Sequence, residues 1–448
     1  MARAAPARVH TPVPRGRVTS RVADARVARR GVPAVSARAG LNDTGDIGES
    51  PSTSSSASPV LSASRLGRRE ALGTAVALTT GLLSAPVFEA RAVDDSEPST
   101  SRPSVDYTAR GPYGVKRLPK LEHTCVSCFP RCVGDACLLS IDAYVPTPPP
   151  VLPDAMFPLT GAVPGDGDVP GDAPRARGPY PLAVFTAGFL VDAEQYASYA
   201  RRLCSWGYVV VQYNKRENVA GNALDDVVSA AMIRDLIGWA QSDVLLGQLV
   251  DTTGENERGA GVYLVGHSRG GKISTLEALE DSRVRAACLL DPVDNTVYAP
   301  LGAGFPSALA AMRERGGAQN TPPLLVVGGE RGGDCAPAGA NYFDFARAAS
   351  GDSWGVELAG AGHFQFLDSA TFVQRAVCEE GRASDAEVRG VSQALMVAHA
   401  ETVFRGAPRR AALRDTLQRL EDARDWDARA GPDSKTRGAP WTVLRGLT

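Results

Sequence analysis

The sequence predicts an α/β fold: a mostly parallel central sheet with helices on both faces. Three observations carry this. Seven short apolar runs lie between residues 136 and 361, several of them near-continuous in Val and Leu, as strands buried on both faces require. Helical patterns separate most of them, and strands alternating with helices build a doubly wound sheet. One such strand meets one such helix at a serine set among glycines, in "VYLVGHSRGGKIS" at 262–274.

In chain order the strand candidates are "ACLLSIDAYV" (136–145), "YPLAVFTAG" (180–188), "GYVVVQYN" (207–214), "GVYLVGHS" (261–268), "VRAACLLDP" (284–292), "PPLLVVGGE" (322–330) and "WGVELAGA" (354–361). Helical patterns fall at "DAEQYASYARRLCSW" (192–206), "ALDDVVSAAMIRDLIGWA" (223–240), "GGKISTLEALE" (270–280) and "NYFDFARAA" (341–349). After residue 384 the chain turns helical, first at 386–404 and then in a charged stretch at 409–426 that reads as a surface helix. The Pro/Gly-rich stretch 146–179 reads as a surface loop inside the domain, and there is no internal repeat. The folded domain is therefore expected over 111–405, with a C-terminal helical tail over 406–448. Ligand sites in such sheets lie at the carboxyl ends of the strands.

The chain of 448 residues has a net charge of −2, unevenly spread. The first 92 residues hold 13 Arg, no Lys and 6 acids, a charge of +7, which leaves −9 for the remainder and argues against nucleic acid as a partner. Residues 1–62, arginine-rich and acid-poor at the start, read as a plastid transit peptide and linker. Residues 63–92 carry the pair Arg68–Arg69, an uncharged, weakly apolar run from Ala71 to Phe88, and small residues at Ala90 and Ala92. That is the layout of a twin-arginine export signal, cleaved near Val93, with an uncleaved anchor as the other reading. Residues 93–110 read as a linker. Two signals in series give the thylakoid lumen as the expected address.

Gly266-His267-Ser268-Arg269-Gly270 matches the G-x-S-x-G elbow, which has meaning where a strand precedes it and a helix follows, as the patterns here require. Ser268 is the candidate nucleophile. A serine hydroxyl needs a base. Of the five histidines, His10 lies in the targeting region, His123 beside a cysteine cluster, His267 in the elbow itself, and His399 in an apolar helical stretch. His363, in "GAGHFQFLD" directly after the last strand candidate, is left as the base of an α/β-hydrolase. Three acids lie at strand ends between Ser268 and His363: Asp291, Asp294 and Asp334, with Asp291 a modest leader on pattern alone.

An oxyanion hole needs two backbone donors. Arg269, after the serine, supplies one, and the loop after "YPLAVFTAG" supplies the other at Phe189 or Leu190. The side chain of Arg269 sits at a helix N-terminus, where a cation opposes the dipole. A carboxylate partner is expected, Asp294 first and Glu194 second, unless the head group simply lies in solvent along the pocket wall.

All eight cysteines follow residue 92. Cys125, Cys128, Cys132 and Cys137 suit a disulfide-permitting compartment, with zinc as the rival, and their connectivity is not legible. A Cys335–Cys378 bridge is expected where two loops converge at the carboxyl edge, whereas Cys204 and Cys288, in apolar patterns, should be free and buried.

"GHSRGGK", "LLDPVDN", "CAPAGAN" and "GHFQFLD", together with the block from Tyr180 to Val211, resemble the chlorophyllase family of α/β-hydrolases over roughly residues 111–405. The resemblance implies Ser268 as nucleophile, Asp291 as acid and His363 as base, hydrolysis of the phytyl ester of chlorophyll to chlorophyllide and phytol, and no metal or other cofactor. Two places depart from that pattern: Ala187-Gly188 stands where the family has His-Gly, and "VVVQYNKRE" replaces its polar stretch after "VVVAPQ". The expected partners are chlorophyll or another lipid ester and the thylakoid membrane surface. The alternatives are a carboxylesterase or lipase for another thylakoid lipid ester, and a non-catalytic fold that binds pigment.

Overall fold

The computed structural model describes residues 105–148, 179–216, 224–252, 260–315, 321–423 and 441–447, all within one compact unit, Asp94–Thr448. The expected transit peptide, export signal and cleavage site lie outside the described residues, as does most of the 146–179 loop.

Each of the seven expected strands forms. They are β3 (Leu138–Thr147), β4 (Leu182–Thr186), β5 (Val209–Asn214), β6 (Val262–His267), β7 (Val284–Leu290), β8 (Leu324–Arg331) and β9 (Trp354–Gly362). Three more were not expected: β1 (Gly114–Arg117), β2 (Leu121–Thr124) and β10 (Trp441–Arg445). The sheet runs β1-β3-β5-β4-β6-β7-β8-β9-β10, with β2 also on β3. From β5 to β9 every pairing is parallel; β1, β2 and β3 at one end and β10 at the other are antiparallel.

Side chains of the central strands alternate between two cores, as the two-residue period of a strand dictates. Leu182, Val184, Val262 and Leu264 face one, while Ala183, Phe185, Tyr263 and Val265 face the other. The first core is covered by α2 (Asp226–Ser242), α3 (Arg269–Glu280), α4 (Ala308–Glu314) and α5 (Tyr342–Ala348), the second by α1 (Ala197–Ser205), α7 (Asp385–Phe404) and α8 (Arg409–Asp422). A short α6 (Phe372–Val377) follows β9.

The segment read as a C-terminal tail joins the domain. Leu413 and Leu417 of α8 are buried in the second core, and β10 pairs with β9, Trp441 opposite Leu358. Tyr107, in the segment read as linker, is buried against Trp206 with ring centroids 5.3 Å apart.

Candidate active site

β6 ends at His267 and α3 begins at Arg269, so Ser268 alone makes the turn, with φ 57° and ψ −126°. A side chain rarely holds a positive φ, and the surroundings must over-determine it. They do so by close approach. A Cβ at Gly266 would meet the Gly270 carbonyl oxygen at 2.3 Å, and one at Gly270 the Thr186 carbonyl oxygen at 2.2 Å. Both positions therefore require glycine. Two backbone bonds pin the turn: Ser268 N–H donates to Leu290 O at 3.0 Å, and Val293 N–H donates to Ser268 O at 3.1 Å.

The structure brings Ser268, His363 and Asp291 together. His363 opens a 3-10 turn directly after β9, and its Nε2 lies 2.9 Å from Ser268 Oγ. Its Nδ1 lies 2.6 Å from Asp291 Oδ2. Asp291 follows β7, is wholly buried, and accepts Gly329 N–H on its other oxygen at 3.0 Å. A carboxylate so placed fixes the ring with Nδ1–H toward it and Nε2 free to accept the serine proton, the arrangement that activates a hydroxyl. The other two acids go elsewhere. Asp294 accepts Ser307 Oγ–H at 2.6 Å and Ala308 N–H at 2.7 Å at the start of α4, and Asp334 is exposed in the turn after β8.

Asp291 has φ 41° and Leu190 has φ 54°; with Ser268 they are the three non-glycine residues of positive φ among the described residues. Ser268 and Asp291 both meet the His363 ring, and Leu190 lies two residues after Gly188. The loop after β4 lies across the elbow so closely that a Cβ on Gly188 would be 3.3 Å from the Ser268 Cβ. Phe189 and Leu190 follow Gly188 in that loop, and Arg269 follows Ser268 at the start of α3.

The expected Arg269–Asp294 pair is not formed, nor is the alternative with Glu194. Arg269 Nε donates to Asp226 Oδ1 at 2.7 Å, its Nη2 donates to Leu224 O, and its guanidinium lies between the rings of Phe189 and Phe305, 5.6 and 5.5 Å from their centroids. Glu194 instead meets Lys120 Nζ at 2.8 Å and Asn214 Nδ2 at 3.0 Å. The physical reason lies in α2. Asp226 is buried in its first turn, and a buried carboxylate needs paired charge. Arg269 and Lys272, three residues apart on one face of α3, both reach it, Lys272 Nζ at 2.9 Å. The spacing of those two cations was the legible signal.

The remaining described histidines stay out of the triad. His399 is buried against Tyr263, and His123 pairs with Asp235. His267 bonds Tyr196 and the His363 carbonyl. Cys125–Cys128, Cys132–Cys137 and Cys335–Cys378 are disulfides, so the four-cysteine cluster is paired sulfur to sulfur, and Cys204 and Cys288 are free and buried. Among the described residues no group of three or more His, Cys, Asp or Glu is placed to hold a metal.

A family model described as chlorophyllase matches residues 171–420. Chlorophyllase-1 of Arabidopsis thaliana is 27% identical over 245 residues, which span 50% of this chain and 72% of that protein.

Proposed function

Because this chain belongs to the chlorophyllase family and is a carboxylic ester hydrolase, we propose that Ser268, His363 and Asp291 hydrolyse the phytyl ester of chlorophyll. The observation that carries the reading is the unbroken pair of hydrogen bonds from Ser268 Oγ through the His363 ring to Asp291. As the Ser268 oxygen attacks the ester carbonyl, His363 Nε2 takes its proton and Asp291 steadies the imidazolium. The N–H groups of Arg269 and of Phe189 or Leu190 hold the oxyanion. Collapse of the tetrahedral intermediate expels phytol with the proton from His363. Water, deprotonated by the same ring, then releases chlorophyllide and restores the serine.

Exposed apolar side chains support a lipid ester over a small polar one. Phe189 and Leu190 after β4, Val297, Tyr298 and Leu301 after β7, and Phe372 on α6 are all exposed, on loops that follow strands bearing the site. We assign this rim to contact with the thylakoid membrane surface, and residues 1–92 to delivery into the chloroplast and its thylakoid lumen.

The test is paired. Purified mature chain should hydrolyse a p-nitrophenyl ester and chlorophyll a, and chlorophyll faster than galactolipid or triacylglycerol. Preference for galactolipid or triacylglycerol would make it a lipase of another thylakoid ester. Tight pigment binding without turnover of any ester would make it a binding protein. A reporter fused to residues 1–95 should reach the lumen, and Arg68→Lys with Arg69→Lys should hold it in the stroma.

A further inference from the structure

His267 stands beside the proposed nucleophile, buried, and the proposed chemistry does not use it. Its two ring nitrogens are both engaged. Nε2 lies 3.0 Å from the backbone carbonyl oxygen of His363, and Nδ1 lies 2.7 Å from the hydroxyl of Tyr196. A carbonyl can only accept, so Nε2 must carry the hydrogen. Burial holds the ring well below the usual histidine pKa, with the neighbouring His363 pushing the same way. The ring is therefore neutral, Nδ1 is bare, and the Tyr196 hydroxyl must donate to it. That leaves the phenol oxygen to accept, and Gly188 N–H reaches it at 3.4 Å.

Every donor in this chain has one possible direction. It runs from Gly188 N–H to the Tyr196 oxygen, from Tyr196 O–H to His267 Nδ1, and from His267 Nε2–H to the carbonyl of His363. Its ends are the loop that carries Phe189 and Leu190 and the residue whose ring meets Ser268. The rings are packed as well: Tyr196 lies 4.7 Å from Phe185, and His267 lies 4.8 Å from His363 and 6.0 Å from Phe366, centroid to centroid. Gly188 lies against the same imidazole, since a Cβ there would be 3.2 Å from His267 Nδ1.

We propose that Tyr196 and His267 are positioning residues that hold the oxyanion loop and the base at a fixed separation across the nucleophile. The inference rests on the ester-hydrolase mechanism proposed above and deepens it. Fixing both groups before the reaction matters because misplacement of a reacting group by about 1 Å can cost on the order of 100-fold in rate. Neither residue need touch the substrate.

Three variants and their double test this: Tyr196→Phe, which keeps the ring and removes the hydroxyl; His267→Leu, which removes both bonds; and His267→Gln, which returns a donor near the Nε2 position. The measurements are kcat and KM on p-nitrophenyl butyrate, normalised to sites labelled by a fluorophosphonate, and Ki for a trifluoromethyl ketone, whose serine adduct needs both oxyanion donors and base. Tyr196→Phe should lower kcat and raise Ki each by about tenfold with KM within about twofold, and His267→Leu should do so by about 100-fold. His267→Gln should recover about a tenth of the wild-type rate, and Tyr196→Phe/His267→Leu should be no worse than His267→Leu alone. Wild-type kcat and Ki per labelled site in Tyr196→Phe and His267→Leu would overturn the inference and leave the mechanism standing. A wild-type chain that turns over no ester would instead overturn the mechanism, and the inference with it.

Discussion

The carboxyl edge of the sheet and its β1–β3 end hold their backbone in opposite ways. At the carboxyl edge, strand ends of β4, β6 and β7 lead into Leu190, Ser268 and Asp291, each with positive φ. No covalent link fixes these turns. Close approach at Gly266 and Gly270, and buried bonds such as Gly329 N–H to Asp291, do so. At the other end, two short antiparallel strands and a segment with two disulfides, Cys125–Cys128 and Cys132–Cys137, lie beside β3. There the backbone is stapled every few residues. The positive-φ turns therefore depend on the neighbours packed against them, whereas the cysteine segment is held by bonds within itself.

The largest effects should therefore come from the carboxyl edge. Ser268→Ala, His363→Ala and Asp291→Asn should each lower kcat by on the order of 10⁴-fold, whereas Asp334→Asn should leave it within about twofold. An inactive Asp334→Asn beside an active Asp291→Asn would move the acid role to Asp334.

Next in size is the buried charge cluster beneath the elbow. Asp226→Asn strands Lys272 and Arg269 without their carboxylate and should destabilise by roughly 3–5 kcal/mol in urea denaturation. Arg269→Lys keeps the charge but not the planar group that lies near the rings of Phe189 and Phe305, and should fall between that variant and wild type. Equal midpoints for all three proteins would remove the cluster from the account.

Disulfides offer the direct comparison of the two regions. Cys335–Cys378 links cysteines 43 positions apart, with His363 between them, whereas Cys125 and Cys128 are three positions apart. Loop-closure entropy gives roughly 4 kcal/mol for the first and about 2 kcal/mol for the second. Cys335→Ser with Cys378→Ser should thus lower the denaturation midpoint more than Cys125→Ser with Cys128→Ser, and only the former should lower kcat. Equal losses would show that the enclosed base turn gains nothing from its clip.

The smallest effect is one of pH. Burial, with a smaller push from Arg409, lowers His399 to about 3 from an ordinary value near 6.5. The folded state therefore refuses a proton that the unfolded chain accepts. The resulting stability is fully present above pH 6.5 and is lost as pH falls toward 3, by at most about 2 kcal/mol between pH 6.5 and 5. His399→Gln should flatten the dependence of denaturation midpoint on pH in that window; an unchanged slope would assign it to other groups.

How much of this was legible in the sequence follows the same division. The seven strands of the sheet's interior were readable because burial on two faces leaves near-continuous Val and Leu. β1, β2 and β10 were not: each is four or five residues long and only partly buried, so only its pairing partner makes it a strand. The proposed nucleophile and base, Ser268 and His363, are singled out by a motif and by the scarcity of histidine. The acid was open among three residues, because reach to an imidazole depends on where each loop turns, and φ 41° at Asp291 has no signature in composition. Tyr196 falls inside the helical pattern 192–206, and nothing in sequence says that its hydroxyl meets His267. The partner of Arg269 was misassigned because the loop after the neighbouring strand was weighed and the start of α2, 43 residues earlier, was not.

If Ser268 attacks the phytyl ester as proposed, blocking its hydroxyl must stop chlorophyllide release. Purified chain is treated with a fluorophosphonate, the modified residue is located by peptide mass spectrometry, and release of chlorophyllide from chlorophyll a is followed in the same samples. One adduct is expected, on Ser268, with chlorophyllide release falling in proportion to its occupancy. Full occupancy of Ser268 with chlorophyllide release undiminished would contradict it.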